Sequence, residues 1–222
     1  MTFAVVGTVA VPVAAAFVVW ERVRGKRRTQ GFAAAATKMG ARMAPDDAPR
    51  LSAMPFRLFR IGRGREIQNV AVRQVDEYRV WTIDFLSWRE TYNPQTSSTN
   101  RVDYEHTCAI VEVPRGLPSV IIGREGFWSR IARAIGIDDV EIGDETFDRV
   151  FKVKSQDPPA ARALLHQDLR SWLLSLDPGW SFETAGNHVL AFAERLPLSR
   201  LSFAETAVIG FVNQLPDDIV AP

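Results

Sequence analysis

VWTIDF at residues 80–85 and HTCAIVEV at residues 106–113 are the two segments that decide the fold class. Large apolar side chains occupy every second position of the first segment. In the second segment, Thr107, Ala109, Val111 and Val113 alternate with His106, Cys108, Ile110 and Glu112. A period of two residues is typical of β-strands. We therefore expect residues 56–123 to be mostly strand.

Two interruptions divide this strand region. Residues 91–100 (TYNPQTSSTN) are polar and show no periodicity, which predicts a long loop. Residues 114–118 (PRGLP) contain two prolines and a glycine and predict a turn, followed by a short strand at 119–123.

The second half of the chain changes to a helical period. Apolar residues at three- and four-residue spacings predict helices within 127–135, 158–176 and 201–215, and residues 147–153 fit either helix or strand. The last helix has two alternative caps, Ser199 or a capping box of Ser202 and Glu205.

A late β-hairpin completes the prediction. Trp180–Thr184 and Val189–Glu194 are expected to be its strands, joined by a turn at 185–188. Strands followed by helices indicate an α+β fold, a domain of mainly antiparallel strands with packed helices.

A charge-free segment, FAVVGTVAVPVAAAFVVW, extends from Phe3 to Trp20. As a helix it would be about 27 Å long, close to the roughly 30 Å of a hydrocarbon core. We expect a single transmembrane helix, with Phe3, Phe17 and Trp20 as membrane-anchoring residues. A cleaved signal peptide and a buried soluble helix are the alternatives. The absence of Lys and Arg before the apolar segment disfavours the first, and the length disfavours the second.

Five basic residues follow the apolar segment directly: Arg22, Arg24, Lys26, Arg27 and Arg28. The positive-inside rule predicts an N-terminus outside the plasma (cytoplasmic) membrane and a cytoplasmic C-terminal domain. In this orientation the basic residues would contact lipid headgroups.

These features suggest three parts: an anchor with its basic collar (1–28), a juxtamembrane helix and linker (29–51), and a cytoplasmic α+β domain (52–222). Residues 31–43 are rich in alanine and predict a short helix, whereas the two prolines at 45–49 predict a linker. Deletion of residues 1–28 is expected to release a folded, soluble domain.

Charge and cysteine content restrict the possible functions. Residues 29–222 contain 22 basic and 25 acidic residues, a net charge of −3, which argues against nucleic-acid binding. Cys108 is the single cysteine, so an intrachain disulfide is excluded, and no zinc-ligand spacing occurs. We predict no cofactor and no metal ion.

Several motifs together resemble a known family. They are FRIGRGR (59–65), Asn69-Val70, TIDF (82–85), Leu117-Pro118, Glu125–Phe127, Arg130–Ala132, Ile135-Gly136, Glu145, Phe147, Phe151–Val153, His166 and Trp172–Leu174. This pattern, across roughly 55–215, resembles a family of uncharacterised single-pass membrane proteins of actinobacteria. The resemblance implies an N-terminal anchor and a soluble domain, and it supplies no catalytic residues.

The motif Gly62-Arg63-Gly64-Arg65 is a candidate anion or partner site, because glycines free backbone N–H groups and arginines supply charge. A bend or bulge between two strands is the alternative and is favoured. Trp88, beside the predicted polar loop, is expected to be exposed and is included in this candidate site.

Two other clusters contain residues that can carry chemistry. His106 and Cys108 share a strand face and suggest a Cys–His pair, although a half-buried structural thiol is favoured. His166 and His188 lie in no metal-ligand spacing. An acidic cluster lacks the order of an EF-hand and predicts a solvated turn; its members are Asp138, Asp139, Glu141, Asp144 and Glu145.

The leading functional hypothesis is a membrane-anchored, non-enzymatic interaction domain. It would be an accessory or scaffolding subunit of a larger membrane assembly, with the lipid bilayer and a membrane protein as partners. The first alternative is a lipid- or anionic-ligand-binding domain at the inner leaflet, with Arg63 and Arg65 near the headgroups. The second is an enzyme whose pocket would contain His106, Cys108 and a carboxylate.

Overall fold

A computed structural model describes residues 25–124 and 139–216. It confirms an α+β domain in which helices pack on a six-stranded antiparallel sheet. The strands are β1 (Arg42–Met43), β2 (Gly64–Val75), β3 (Tyr78–Asn93), β4 (Ser98–Arg124), β5 (Phe151–Ser155) and β6 (Ser181–Glu194). The helices are α1 (25–38), α2 (Ala48–Ser52), α3 (Glu145–Val150), α4 (Pro158–Leu164), α5 (Gln167–Ser175) and α6 (Leu201–Val212). Single 3-10 turns occupy Pro45–Asp47, Leu58–Arg60 and Leu198–Arg200.

The 27-residue strand β4 is the centre of the sheet. Strands β1, β2, β3 and β4 pair in that order, and β4 also pairs with β6 along its other edge. Near its end, β4 pairs with the short β5. A strand of this length can hold three partners because β3 and β5 pair with different parts of one edge, while β6 pairs along the other.

The two predicted turns at 114–118 and 185–188 are wrong, because both segments lie inside strands. They face each other across β4 and β6, where Leu117 pairs with Gly186 and the register shifts on both sides of Leu117. Gly186 has a φ of 60°, a value that favours glycine. The turn-forming residues therefore produce one irregularity shared by two paired strands, and the predicted late hairpin does not exist.

The predicted long loop at 91–100 is also wrong. Strands β3 and β4 continue as a two-stranded ribbon up to the pair Asn93–Ser98, and only residues 94–97 form the turn. The ribbon lacks apolar periodicity because most of its side chains are exposed on both faces.

One face of the sheet, here called the helical face, is covered by α1 and by helices α3–α6. Its core includes Val80, Val111, Ile122, Phe147, Leu169, Phe182 and Phe211. The opposite face is covered by the segment 44–61. Its core includes Leu51, Phe56, Phe59, Trp81, Ile83, Phe85 and Phe192.

The C-terminal helices agree with the periodicity in part. The region 158–176 forms two helices, α4 and α5, separated at Leu165 and His166. Residues 147–153 form the end of α3 and the start of β5. Helix α6 is confirmed, but no side chain caps its N-terminus, so both predicted caps are wrong. The helix predicted within 127–135 lies outside the described residues.

The N-terminal part of the described chain packs into the same domain. Phe32 of α1 is fully buried beside Ala71 of β2 and Leu201 of α6, and β1 pairs with β2. The segment expected to be a linker contains a 3-10 turn and α2, and Asp47 accepts a hydrogen bond of 2.8 Å from the Trp81 indole N–H. Packing thus extends well upstream of Ser52.

The expected anchor Phe3–Trp20, with Arg22 and Arg24, lies outside the described residues. Within residues 25–124 and 139–216, no helix has the length and hydropathy needed to cross a bilayer.

Candidate functional site

A buried carboxylate, Asp84, lies beneath the first helix. It is fully inaccessible on the helical face of β3. Arg28 of α1 binds it through two bonds of 2.9 Å, one to each carboxylate oxygen. Asn69 donates a third bond of 2.9 Å and Thr107 a fourth of 3.2 Å. These four hydrogen bonds replace the water that the carboxylate loses on burial. Because two of them come from Arg28, Asp84 holds α1 on the sheet.

Arg28 also donates to the carbonyl oxygen of Leu196 at 2.9 Å, and only 14% of its side chain is exposed. The sequence assigns Arg28 to the basic residues that contact headgroups. The structure instead places its guanidinium inside the domain. Lys26 and Arg27 are exposed, so in this part of the collar only Arg28 has an internal role.

A second ion pair with a buried carboxylate lies on the same face. Glu205 of α6 is 3% exposed, approaches the Arg73 guanidinium to 2.6 Å and accepts a bond of 3.0 Å from Thr82. The first and last helices of the described chain, α1 and α6, are thereby each attached to the helical face by a carboxylate–arginine pair.

An open cleft of about 550 Å³ begins at Gly25, the first described residue of α1. Gly25 and Leu86 line it together with three arginines and three acids: Arg28, Arg101, Arg195, Asp103, Glu105 and Glu194. Arg101 approaches Asp103 to 2.6 Å, and Arg195 approaches Glu105 to 2.6 Å. Because its charges balance, the cleft suits a neutral polar or zwitterionic group better than a bare anion.

The Gly62–Arg65 motif forms a bend that enters β2. Gly62 has a φ of 92°, and the Arg63 N–H donates to the Trp88 carbonyl oxygen at 2.9 Å. Arg65 donates to the Phe59 carbonyl oxygen at 3.0 Å. The side chains of both arginines are exposed.

Trp88 is half-buried, although it is expected to be exposed. Its indole ring lies directly over Gly64, where a Cβ atom would come within 1.9 Å of it. The Arg101 guanidinium covers the ring at 4.2 Å from its centroid. Trp88 therefore joins the predicted motif to the cleft, a connection that the sequence does not show.

The histidines and the cysteine do not form one site. Cys108 is fully buried in the opposite-face core, and this burial raises the pKa of its thiol well above the ordinary value. His106 is also buried, between Phe85 and Phe192. A buried, protonated thiol is a poor nucleophile, so the structural interpretation of this pair is favoured.

The remaining candidates have structural contacts. His166 hydrogen bonds to the Gln214 carbonyl oxygen at 2.8 Å, whereas partial burial lowers the pKa of His188. Asp139 pairs with Lys154 at 2.7 Å. Asp144 caps α3 and pairs with Arg170 at 3.0 Å. No group of three or more potential metal ligands occurs within the described ranges, and Asp138 lies outside them.

Sequence reasoning missed three buried carboxylates, Asp84, Glu183 and Glu205. Glu183 of β6 accepts hydrogen bonds from the backbone N–H groups of Arg57 and Leu58 on the opposite face. Burial raises its pKa to about 7. The available signal was a single acid inside an otherwise apolar or uncharged segment, as in WTIDF, SFETA and FAETAV.

Comparison with known proteins gives one informative likeness. No family model matches the chain, and no curated protein matches it. The structure is similar to the crystal structure of the mycobacterial trehalose monomycolate transport factor A, TtfA. The two share 16% sequence identity with a TM-score of 0.56, and the alignment covers 89% of this chain and 97% of the other. At this identity the likeness establishes a shared fold.

Proposed function

We propose that the protein is a membrane-tethered, non-enzymatic accessory or scaffolding subunit of a membrane assembly, with its folded domain on the cytoplasmic side. One observation carries the proposal. The helix that follows the predicted anchor is locked to the domain core by the bond between Arg28 and Asp84. The chain from Gly25 onward is therefore part of the folded domain and is not a flexible linker outside it.

The distance to the membrane supports this proposal. Gly25 is five residue steps from Trp20, so the described domain begins at most about 18 Å from the predicted interfacial tryptophan. The fold is also one that a mycobacterial transport factor uses. A small domain held within this distance of the membrane suits contact with a neighbouring membrane protein.

Purification of the tagged full-length protein from its native membrane in mild detergent tests the proposal. We expect a stoichiometric membrane-protein partner, with chemical cross-links to the described domain detected by mass spectrometry. Recovery of a monomer or a homo-oligomer alone would contradict the accessory role. An Arg28→Ala variant is expected to retain less partner, whereas the neighbouring exposed Arg27→Ala variant serves as the matched control.

A second candidate is recognition of anionic lipid headgroups. The exposed Arg63 and Arg65 support it, because they lie beside Trp88 at the same end of the sheet as Gly25, the first described residue of α1. Replacement of both arginines by alanine is expected to weaken binding to anionic vesicles at low salt. Equal binding by the double variant and the unmodified protein would remove this candidate.

A further inference from the structure

The two-stranded ribbon between β3 and β4 projects beyond the rest of the sheet. Pairing of β2 with β3 ends at Gly64 and Trp88, and ladder pairing of β6 with β4 ends at His106. In the described chain, Arg89–Asn93 and Ser98–Val102 therefore pair only with each other. The ribbon extends about 14 Å from Arg89 to Asn93, before the turn is added.

The contacts of α1 show which way the ribbon points. Phe32 lies beside Ala71, which is paired with Thr82, and Arg28 lies at Asp84. Gly25 lines the cleft with Arg101 and Asp103, farther along the same strands. Helix α1 thus runs along the sheet with its first described residue, Gly25, nearest the ribbon.

The lengths allow the ribbon to reach the bilayer. Gly25 lies at most about 18 Å from Trp20, whose expected place is the edge of the hydrocarbon core. The headgroup layer extends roughly 5–7 Å outward from that edge. Gly25 shares the cleft with Arg101 at the base of the ribbon, and the strand from Arg89 to Asn93 is about 14 Å long. A ribbon directed toward the bilayer therefore reaches the headgroups even if the connection is fully extended.

The ribbon also has the side chains of a membrane-interface element. Tyr92 is 60% exposed and Val102 is 50% exposed, and these are two of the three exposed large apolar side chains in the described chain. Arginine–aromatic pairs lie at its base on both faces: Arg101 over Trp88 at 4.2 Å and Arg89 over Tyr104 at 6.0 Å. Tyrosine and tryptophan are enriched where a bilayer meets water.

We infer that the ribbon lies in the lipid headgroup layer beside the anchor and provides a second contact with the membrane. This inference rests on the proposed membrane tether. Residues 88–103 contain two arginines and two acidic residues, so their net charge is zero. The contact therefore depends on aromatic and polar side chains and not on net charge. Salt is therefore expected to have little effect on it, in contrast to binding through Arg63 and Arg65.

Site-specific fluorescence on the full-length protein in phospholipid nanodiscs tests the inference. Tyr92→Cys is labelled with a fluorophore, and headgroup-nitroxide lipids are the quencher. Glu77→Cys is the matched control, because Glu77 lies in the exposed turn at the other end of the 16-residue β3, about 50 Å away. The unmodified protein provides the blank, because its only cysteine, Cys108, is buried.

We expect the label at position 92 to lose most of its fluorescence to the quencher and the label at position 77 to lose little. Flotation with liposomes and resistance to carbonate extraction show whether the anchor is inserted. An inserted protein with an unquenched label at position 92 overturns the ribbon contact and leaves the tether intact. A protein that is extracted by carbonate overturns the tether and the inference together.

Discussion

The two faces of the sheet each use a buried carboxylate to hold an N-terminal segment, but they neutralise its charge differently. On the helical face, Asp84 binds the Arg28 guanidinium and holds α1. On the opposite face, Glu183 accepts the N–H groups of Arg57 and Leu58 and holds the segment 44–61. A full positive charge compensates the first carboxylate, whereas only neutral dipoles directly bind the second.

This difference has a consequence for ionisation. Burial raises the pKa of Glu183 to about 7, and the two backbone N–H groups oppose this shift only in part. The helical-face attachment should therefore depend on the presence of Arg28, and the opposite-face attachment on pH. Substitutions on one face should therefore leave the response of the other face unchanged.

Truncation should have the largest effect. Removal of residues 1–24 leaves Arg28 in place, whereas removal of residues 1–28 deprives the buried Asp84 of its cation. Breaking a buried pair by removing one partner costs about 3–5 kcal/mol. We expect the shorter protein to lose at least this much free energy of unfolding, measured by urea denaturation. Equal stabilities would show that the Arg28–Asp84 pair does not hold α1.

Arg28→Ala isolates the same effect without shortening α1. The variant should lose about 3–5 kcal/mol of unfolding free energy, since Asp84 is left buried without its charge partner. The adjacent Arg27→Ala variant is the control, because Arg27 has the same side chain but is exposed. A similar small loss in both variants would contradict the assigned role of Arg28.

The opposite face should respond to pH. An unfolded glutamate loses its proton near pH 4.3, whereas folded Glu183 keeps its proton up to about pH 7. The folded state binds more protons between these values, so stability is highest below about pH 4.3 and falls as the pH rises to 7. The expected contribution of Glu183 to this fall is about 3 kcal/mol.

Glu183→Gln should abolish this contribution, because glutamine does not titrate. Urea denaturation at pH 5 and pH 7.5 measures the difference, and Glu66→Gln, at an exposed strand position, is the control. An unchanged pH dependence in the Glu183 variant would show that another group is responsible.

A smaller effect is expected at Thr107. Its hydroxyl donates to Asp84 at 3.2 Å and accepts the Leu196 N–H at 3.0 Å. Thr107→Val keeps the shape and removes both bonds, so a loss of about 1–2 kcal/mol is expected. Because Arg28 and Asn69 still bind Asp84, α1 should remain attached, as measured by unchanged amide hydrogen exchange of the backbone around Phe32.

Sequence patterns predicted the fold class because period-two and helical segments dominate the chain. They failed at 114–118 and 185–188, where turn-forming residues on two distant segments are paired with each other. Each segment alone resembles a turn, and only strand pairing shows that both belong to one bend. The polar ribbon at 91–100 was missed because a strand exposed on both faces has no apolar alternation.

The candidate site was predicted less completely. Arg63, Arg65 and Trp88 are indeed close together, but the cleft between α1 and the ribbon was not foreseen. Its residues come from α1, β2, β3, β4 and β6, which are far apart in the sequence. Arg28 carries no local signal that separates it from Arg27, since only the position of Asp84 distinguishes the two.

By itself, the sequence determined the α+β class, the main strands, the last helix and an apolar segment followed by basic residues, because these properties depend on local periodicity and charge. Only the tertiary structure decided which arginine is buried, which carboxylates hold the N-terminal segments and where the ribbon projects. These depend on contacts between residues tens of positions apart, and the free energy of a buried charge is set by the groups that the fold places around it.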